Sequence, residues 1–510
     1  MKEYQKELVA AWKDFVAGTI DAKTLKSKSA GFGIYQQKDG LTMMRIRRPG
    51  GIVTIDDLRN IAKFIDKYGA GYAHISTRQD IQIHGVKAED VPAALEDCES
   101  MGFPFRGGGG DTFRNILVST ASGLKKESVF DVIPYARALS AAFKTFDKAY
   151  ALPRKIKIGF ADCETDRFLA AVQDLGFIAK IADGKKVFET WIGGGIGFKA
   201  RVGIKLFDSL PAEDAAKVAF ALTRLFDEKG CRTNRSHARI RFLREDMGDA
   251  AFCEEVICRY KAEAEAPALS DSMLQSERYG VTSLSADMCG ACDTAFATWK
   301  KLACTKLADD TFAVRIFVPF GNFPADRLIE FCNFLEPAGI NDFQLLPTQD
   351  LLVRKVPENQ LVALYRLLSE ALADVDYTMK SFVGHIVTCI GCTVCKSGVC
   401  DSPSIGAALA KELDKALLPL DTDEKIAKAK LLIDELRISG CPNSCTAQSV
   451  VKYGFTCRKS NGADALVPFS PAERDKPAIG EPQAAIIPSS ELAGYVLEKI
   501  NENSLNNHPF

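Results

Sequence analysis

Residues 49–86 return at 319–356 without a gap, an offset of 270 residues. Pro49, Gly51, Asp56, Leu58, Phe64, Gly69, Gln79, Asp80 and Val86 match Pro319, Gly321, Asp326, Leu328, Phe334, Gly339, Gln349, Asp350 and Val356. The matches fall at turn glycines and at corresponding apolar positions. Each copy reads as strand, turn, helix, strand. MMRIRRP and FAVRIFVP open the copies, and YAHISTRQDIQIHGV and FQLLPTQDLLVRKV close them. The helices fall at roughly 54–68 and 324–337. A period this long, present twice, is a duplication and not a solenoid. It predicts two similar α+β modules related by a pseudo-twofold.

The chain has 510 residues, too many for one core, so several domains are expected. A mixed α/β stretch separates the copies. A cysteine-rich and then helical segment follows them, and the tail after residue 460 reads as peripheral. Net charge is −1, which argues against a global basic surface for nucleic acid or anionic lipid. No apolar run reaches membrane-spanning length. The opening MKEYQKELVAAWKDF reads as an amphipathic helix without signal-peptide features, so the cytoplasm is the expected location. The glycine-rich RGGGGD (106–111) and IGGGIG (192–197) match neither a dinucleotide fingerprint nor a P-loop, but they permit close backbone approach.

Sixteen cysteines are many for a reducing compartment, where clustered thiols read as metal ligands. Eight are scattered and read as buried apolar groups. TCIGCTVC holds Cys389, Cys392 and Cys395, with Cys400 just beyond, and GCPNSC holds Cys441 and Cys445. A cubane cluster takes four thiolates. One set is Cys389, Cys392, Cys395 and Cys400. The other joins Cys389 and Cys395 to Cys441 and Cys445. MCGAC adds a further pair, Cys289 and Cys292.

Basic residues concentrate in strand-like segments. Alternation places His74, Ser76, Arg78, Gln82 and His84 on one face of HISTRQDIQIH if it is extended. It does the same for Arg235, His237, Arg239 and Arg241 in NRSHARIRFL, for Arg45 and Arg47, and for Lys155 and Lys157. Arg114 lies in FRNI. Any one of these is an ordinary solvated face, but several in a chain without net positive charge suggest a built anion site.

The C-x5-C and G-C-P-N-S-C pair resembles the cluster signature of the sirohaem-dependent sulfite and nitrite reductases. RIRRPGG, STRQDIQIHG, GDTFRN and LPRKIKI are similar to that family's motifs in the same order, over residues 40–460. The resemblance implies a mixed α/β (α+β) fold in which duplicated ferredoxin-like half-modules pack with sirohaem- and iron–sulfur-binding α/β domains. The implied organisation is a helical extension (1–30), a first ferredoxin-like repeat (31–120), a sirohaem-binding domain (121–285), a second repeat (286–378) and a cluster-binding domain with the tail (379–510). It implies a [4Fe–4S] cluster on Cys389, Cys395, Cys441 and Cys445, with Cys445 also on the sirohaem iron. Arg45, Arg114, Lys155 and Lys157 would line the anion pocket. Arg78, Gln82, His84, Arg239 and Arg241 would hold the macrocycle. Two departures stand out: Thr446 replaces a usual glycine, and His74 a usual arginine.

The implied activity is six-electron reduction of sulfite to sulfide, preferred over nitrite to ammonia because Lys157 completes a KxK pair. Without an inserted ferredoxin domain or a flavin module, the chain reads as an assimilatory-type haemoprotein fed by an external ferredoxin or flavoprotein. The rival readings are a non-catalytic iron–sulfur electron carrier and a sirohaem binder without turnover.

Overall fold

The computed structural model describes residues 3–103, 105–269, 274, 293–472 and 478–505. Cys289 and Cys292 lie outside the described residues. The two copies build two five-stranded sheets. One runs in the order Ile34–Gln36, Thr42–Ile46, Ile81–Val86, Tyr72–Ile75, Asn322–Pro324; the other runs Cys304–Lys306, Phe312–Ile316, Leu351–Val356, Phe343–Leu345, Ile52–Val53. The last strand of each belongs to the opposite copy, so neither sheet is complete without the other. Tight turns at Pro49–Gly51 and Pro319–Gly321 send these strands across. Gly51 (φ +75°) and Gly321 (φ +69°) both need the left-handed region. A side chain on Gly51 would stand 2.7 Å from Leu345 O, and one on Gly321 would stand 2.9 Å from Ile75 O. The two clashes are the same contact seen from either copy.

Helices Ile55–Tyr68 and Ala325–Leu335 cover the crossing. The first starts at a capping box between Thr54 and Asp57 and buries Leu58, Ile61, Phe64 and Ile65 at helical spacing. Arg59 reaches across to Asn333 at 2.7 Å.

The duplication extends beyond the sequence repeat. A third sheet runs Leu117–Val118, Ile158–Ala161, Leu175–Ala182, Lys185–Ile192, Ile204–Pro211, with two parallel pairings and then two antiparallel. A fourth runs Val387–Thr388, Leu436–Ser439, Tyr453–Ser460, Ala463–Pro468, Ile487–Pro488, with the same sequence of pairings. Leu436 pairs with Tyr453 as Ile158 pairs with Leu175.

The tail is not peripheral. It supplies two strands of the fourth sheet and the helix Leu492–Leu505, which buries Leu492, Val496 and Ile500 at i, i+4, i+8 spacing. The N-terminal helix Glu3–Val16 is present and buries Leu8, Val9 and Trp12. Of the scattered cysteines, Cys98, Cys163, Cys332 and Cys457 are buried, whereas Cys258 is exposed. Among the described residues no helix is long and apolar enough to cross a membrane.

Gly51→Ala and Gly321→Ala should each destabilise the protein by about 2–4 kcal/mol, because each adds a backbone clash to a left-handed position. Urea denaturation checks this, and the two losses should be similar.

Candidate functional site

A cavity of about 620 Å³ opens against the first sheet, within the ordinary range for a cofactor site. His74 and Gln82 are cross-strand partners, so both present to it, with Arg45 and His84 beside them. The segment 74–84 is not one extended strand, as alternation suggested. It is a hairpin whose turn, closed by Ser76 and Asp80, lifts Arg78 out of the sheet. The opposite wall is made by the loops 389–398 and 441–445, and the cavity is lined by Cys389, Cys395, Cys441 and Cys445. Cys392 and Cys400 do not line it; Cys400 Sγ instead donates to Arg458 O at 3.4 Å.

Backbone carbonyls and one buried acid hold the cations. Arg45 Nη1 donates to Gly108 O (2.7 Å) and Arg114 Nη2 to Gly110 O (2.8 Å), so the RGGGGD loop aims guanidinium groups. Gly107 leaves the space that Arg47 Nη1 occupies, 2.7 Å from where a Cβ would be. Arg47 lies past the end of its strand, fully buried, and donates to Arg106 O. Arg78 donates to Gln173 Oε1 (3.2 Å) and Ile158 O (3.1 Å).

The strand expected over 235–242 is a short 3-10 turn, Arg235–His237, followed by the helix Ile240–Met247. Helical spacing disperses what alternation had aligned. Arg235 pairs with Asp111 and His237 with Asp246 near the surface, while Arg239 and Arg241 remain buried. Arg239 Nη2 meets Asp174 Oδ2 at 2.7 Å, and the same oxygen accepts the Lys157 N–H at 2.8 Å. Asp174 and Gln173 were missed in the sequence. Asp174 is one of many acids between the two basic motifs, so nothing local in the sequence singled it out.

Lys155 and Lys157 flank an isolated bridge at Ile156, just before the strand Ile158–Ala161. Burial, then Arg239, Arg114 and Arg154, lower the Lys155 pKa to about 7. Lys157 falls well below the usual lysine value through burial and the charges of Arg78, Lys155 and Arg239. Cys445 is exposed on the cavity wall; crowding by the surrounding protein and the neighbouring Cys389 push its thiol up to about 11, against the pull of Lys155 and Lys157. The lysines and the thiol thus share one electrostatic environment.

The duplication supplies an internal comparison. Gln37, Met43, Ser76 and Gln82 line the cavity, but their counterparts Leu307, Ala313, Leu346 and Leu352 form an apolar cluster with Ala121. In one half Cys389 Sγ accepts the Gly440 N–H at 3.2 Å; in the other, Ser119 Oγ accepts the Asp162 N–H at 3.0 Å. Lys125, Cys163 and Arg167 stand where Cys395, Cys441 and Cys445 stand. There the Lys125 ammonium is held by Asp162 (3.1 Å) and Asp166 (2.7 Å). One half is closed by an ion pair and the other presents four thiols. Cys392 and Cys400 correspond to Ser122 and Phe130, outside that ring.

The donor set suits a polycarboxylate macrocycle beside an iron–sulfur cluster. Arg241 Nε and Nη1, Arg239 Nε and Arg78 Nε are buried without a hydrogen-bond partner, and such donors call for an acceptor. Four thiols on a cavity wall meet the ligand count of a cubane.

Comparisons with known proteins agree. The family model for the nitrite and sulphite reductase 4Fe-4S domain matches residues 109–264. That for the nitrite/sulfite reductase ferredoxin-like half domain matches 35–101 and 306–371, once on each copy. The ferredoxin–nitrite reductase of Synechococcus elongatus is 26% identical over 430 residues, 82% of this chain and 76% of the relative. The assimilatory ferredoxin-dependent nitrite reductase of Haloferax mediterranei is 24% identical over 445 residues, 83% of this chain and 72% of the relative. The solved structure of the Mycobacterium tuberculosis NirA protein shares the fold, with a TM-score of 0.74 at 20% identity over 97% of this chain and 92% of that one. The chain belongs to the sirohaem-dependent sulfite and nitrite reductase family. It is an oxidoreductase whose cofactors are sirohaem and a [4Fe–4S] cluster.

Asp174→Asn should cost about 3–5 kcal/mol in the cofactor-free protein, since it leaves Arg239 buried without its acid. Denaturation in urea checks this.

Proposed function

We propose that this chain reduces nitrite to ammonia by six electrons, drawn singly from a ferredoxin. The relatives above are nitrite reductases by name, which reverses the order suggested by the KxK pair alone. Reduction of sulfite to sulfide is the second reading, favoured by a second buried lysine, Lys157, which lines a smaller cavity with Arg78 and Cys445. One observation carries the proposal: Cys445 lines the large cavity with Cys389, Cys395, Cys441 and Arg45, and also lines an adjoining smaller one with Arg78 and Lys157.

In this reading Cys389, Cys395, Cys441 and Cys445 ligate the cluster. Arg78, Gln82, His84, Arg239 and Arg241 hold the macrocycle, and Arg45, Arg114, Lys155 and Lys157 receive the anion. When bound, the two cofactors supply the electrons and an iron that takes the substrate. Arg45 and Arg114 neutralise the oxyanion and polarise its N–O bonds. Lys155, with a pKa near 7, exists in both protonation states at neutral pH, so it can give a proton to a departing oxygen and take another from solvent. Burial among cations holds Lys157 well below the usual lysine value, and an arriving anion would raise it.

Lys155→Met should lower turnover by about a hundredfold or more while leaving both cofactors in the absorption spectrum. In the parent enzyme kcat should fall as pH rises through about 7, where Lys155 loses its proton. Full activity in the variant would remove the assignment. A higher kcat/KM on sulfite than on nitrite, in one reduced-dye assay, would favour the second reading.

Cys395→Ser should lose the cluster's iron and absorption, whereas Cys392→Ser and Cys400→Ser should keep both. Cluster loss from either of the latter would restore the alternative set of four. Iron without a macrocycle in protein from a sirohaem-making host would favour the electron carrier.

A further inference from the structure

Arg45 and Asp80 occupy in the first copy the places of Arg315 and Asp350 in the second. In the second copy the pair is made. Arg315 Nε donates to Asp350 Oδ2 at 2.7 Å, and Asp350 Oδ1 accepts the Val318 N–H at 2.9 Å. Arg315 also meets a second acid, Asp434, at 2.6 Å. Its guanidinium thus bridges an internal carboxylate and an anion brought by another element.

In the first copy the same framework is present, but that bond is open. Arg45 turns its Nη1 to Gly108 O, and its Nε is buried without a partner. Asp80, 3% exposed, has its Oδ1 buried without a partner. No acid pairs with Arg45 among the described residues; by the register that matches Leu436 to Ile158, the position of Asp434 falls to the buried Ile156, so the chain itself offers no such anion there.

The charged groups around Asp80 come from three directions. Arg45 and Arg47 face it from the strand Thr42–Ile46 and the residues just after it, where Arg48 adds a backbone N–H. Arg78 faces it from its own turn, with Arg114 behind Arg78. Behind Arg47 stands the Tyr150 hydroxyl, within electrostatic reach of it. Burial still dominates and raises the carboxyl to about 6, so both charge states are accessible near neutral pH.

We propose that Asp80 is the internal counter-ion of Arg45 and competes with the substrate oxyanion for it. With Asp80 protonated, Arg45 stays turned toward Gly108 and the anion pocket. With Asp80 ionised, Arg45 moves toward the pairing seen between Arg315 and Asp350, and the anion binds less tightly. Asp80 touches no reacting atom; it is a positioning residue that acts through Arg45. The inference rests on the proposed place of Arg45 in the anion pocket. Its sign is definite. The KM for the anion rises as pH rises through about 6, separately from the loss of kcat set by Lys155 near 7.

The test uses holoenzyme in a reduced-dye assay with nitrite and with sulfite, over a pH range spanning these values. Asp80→Asn should lower KM at neutral pH by about fivefold, remove its rise through about 6, and change kcat by less than about twofold. Unchanged KM with an unchanged pH profile would overturn the proposal.

A second readout needs no turnover. The infrared carbonyl band of the protonated Asp80 carboxyl, identified by its loss in Asp80→Asn, should persist to higher pH in Arg45→Met, because the ionised form has lost its cation. An unmoved titration would overturn the coupling. Should Asp80→Asn not yield holoenzyme, Asp80→Ser serves for both readings. Absence of turnover on both anions would remove the functional reading, and the infrared titration would still decide whether Arg45 and Asp80 are coupled.

Discussion

Guanidinium and ammonium groups cannot be buried together unless something negative joins them. Arg45, Arg78, Arg114, Arg239, Lys155 and Lys157 converge on one region, and Asp174 and Asp80 are the buried acids among them. Backbone carbonyls of Gly108, Gly110, Ile158 and Phe198 take some of the donors. The remaining donors are left over, and the lysines answer by moving toward their neutral form. In the proposed reading, a cofactor rich in carboxylates and a small oxyanion supply the missing negative charge. The pocket is therefore built to be completed by what it binds.

The duplicated architecture shows how such a pocket is confined to one place. The same four-sheet framework offers two equivalent sites across the pseudo-twofold. In one, leucines replace the polar lining and a lysine held by two aspartates occupies the place of one of the thiols. That half closes on itself with ordinary packing and a short ion pair. The other half keeps its polar lining and thiols and leaves a cavity. Reciprocal strand exchange makes the two halves interdependent, so the closed half braces the open one: Gly51 lies against Leu345 and Gly321 against Ile75.

The signals carried by the sequence were those that depend on spacing. The repeat announced two modules, and the resemblance of the C-x5-C and G-C-P-N-S-C pair to the family's cluster signature pointed to four thiols among sixteen. Amphipathic periodicity placed the helices Ile55–Tyr68 and Ala325–Leu335 to within a residue or two. Errors came where alternation was read as strand. The run 235–242 alternates basic and apolar residues but folds as a turn and a helix, because period-2 and period-3.6 patterns are hard to tell apart over so short a stretch. The tail looked peripheral from composition, yet its few apolar residues sit where they complete a sheet and a helix.

By itself the sequence determined the family, the presence of a duplication, and the identity of the basic and thiol groups available for chemistry. These are local facts, written in short motifs and their order. Only the tertiary structure decided which copy holds the cavity, which thiols face it, and which acids lie among the cations. Those outcomes depend on residues more than fifty positions apart being brought together, as Asp174 is to Arg239, Gly108 to Arg45 and Cys389 to Gly440. The strand exchange and the second pair of sheets were likewise invisible, since backbone pairing leaves almost no trace in side-chain identity. What a site can do is set by the field its groups create together, and that field exists only once the chain is folded.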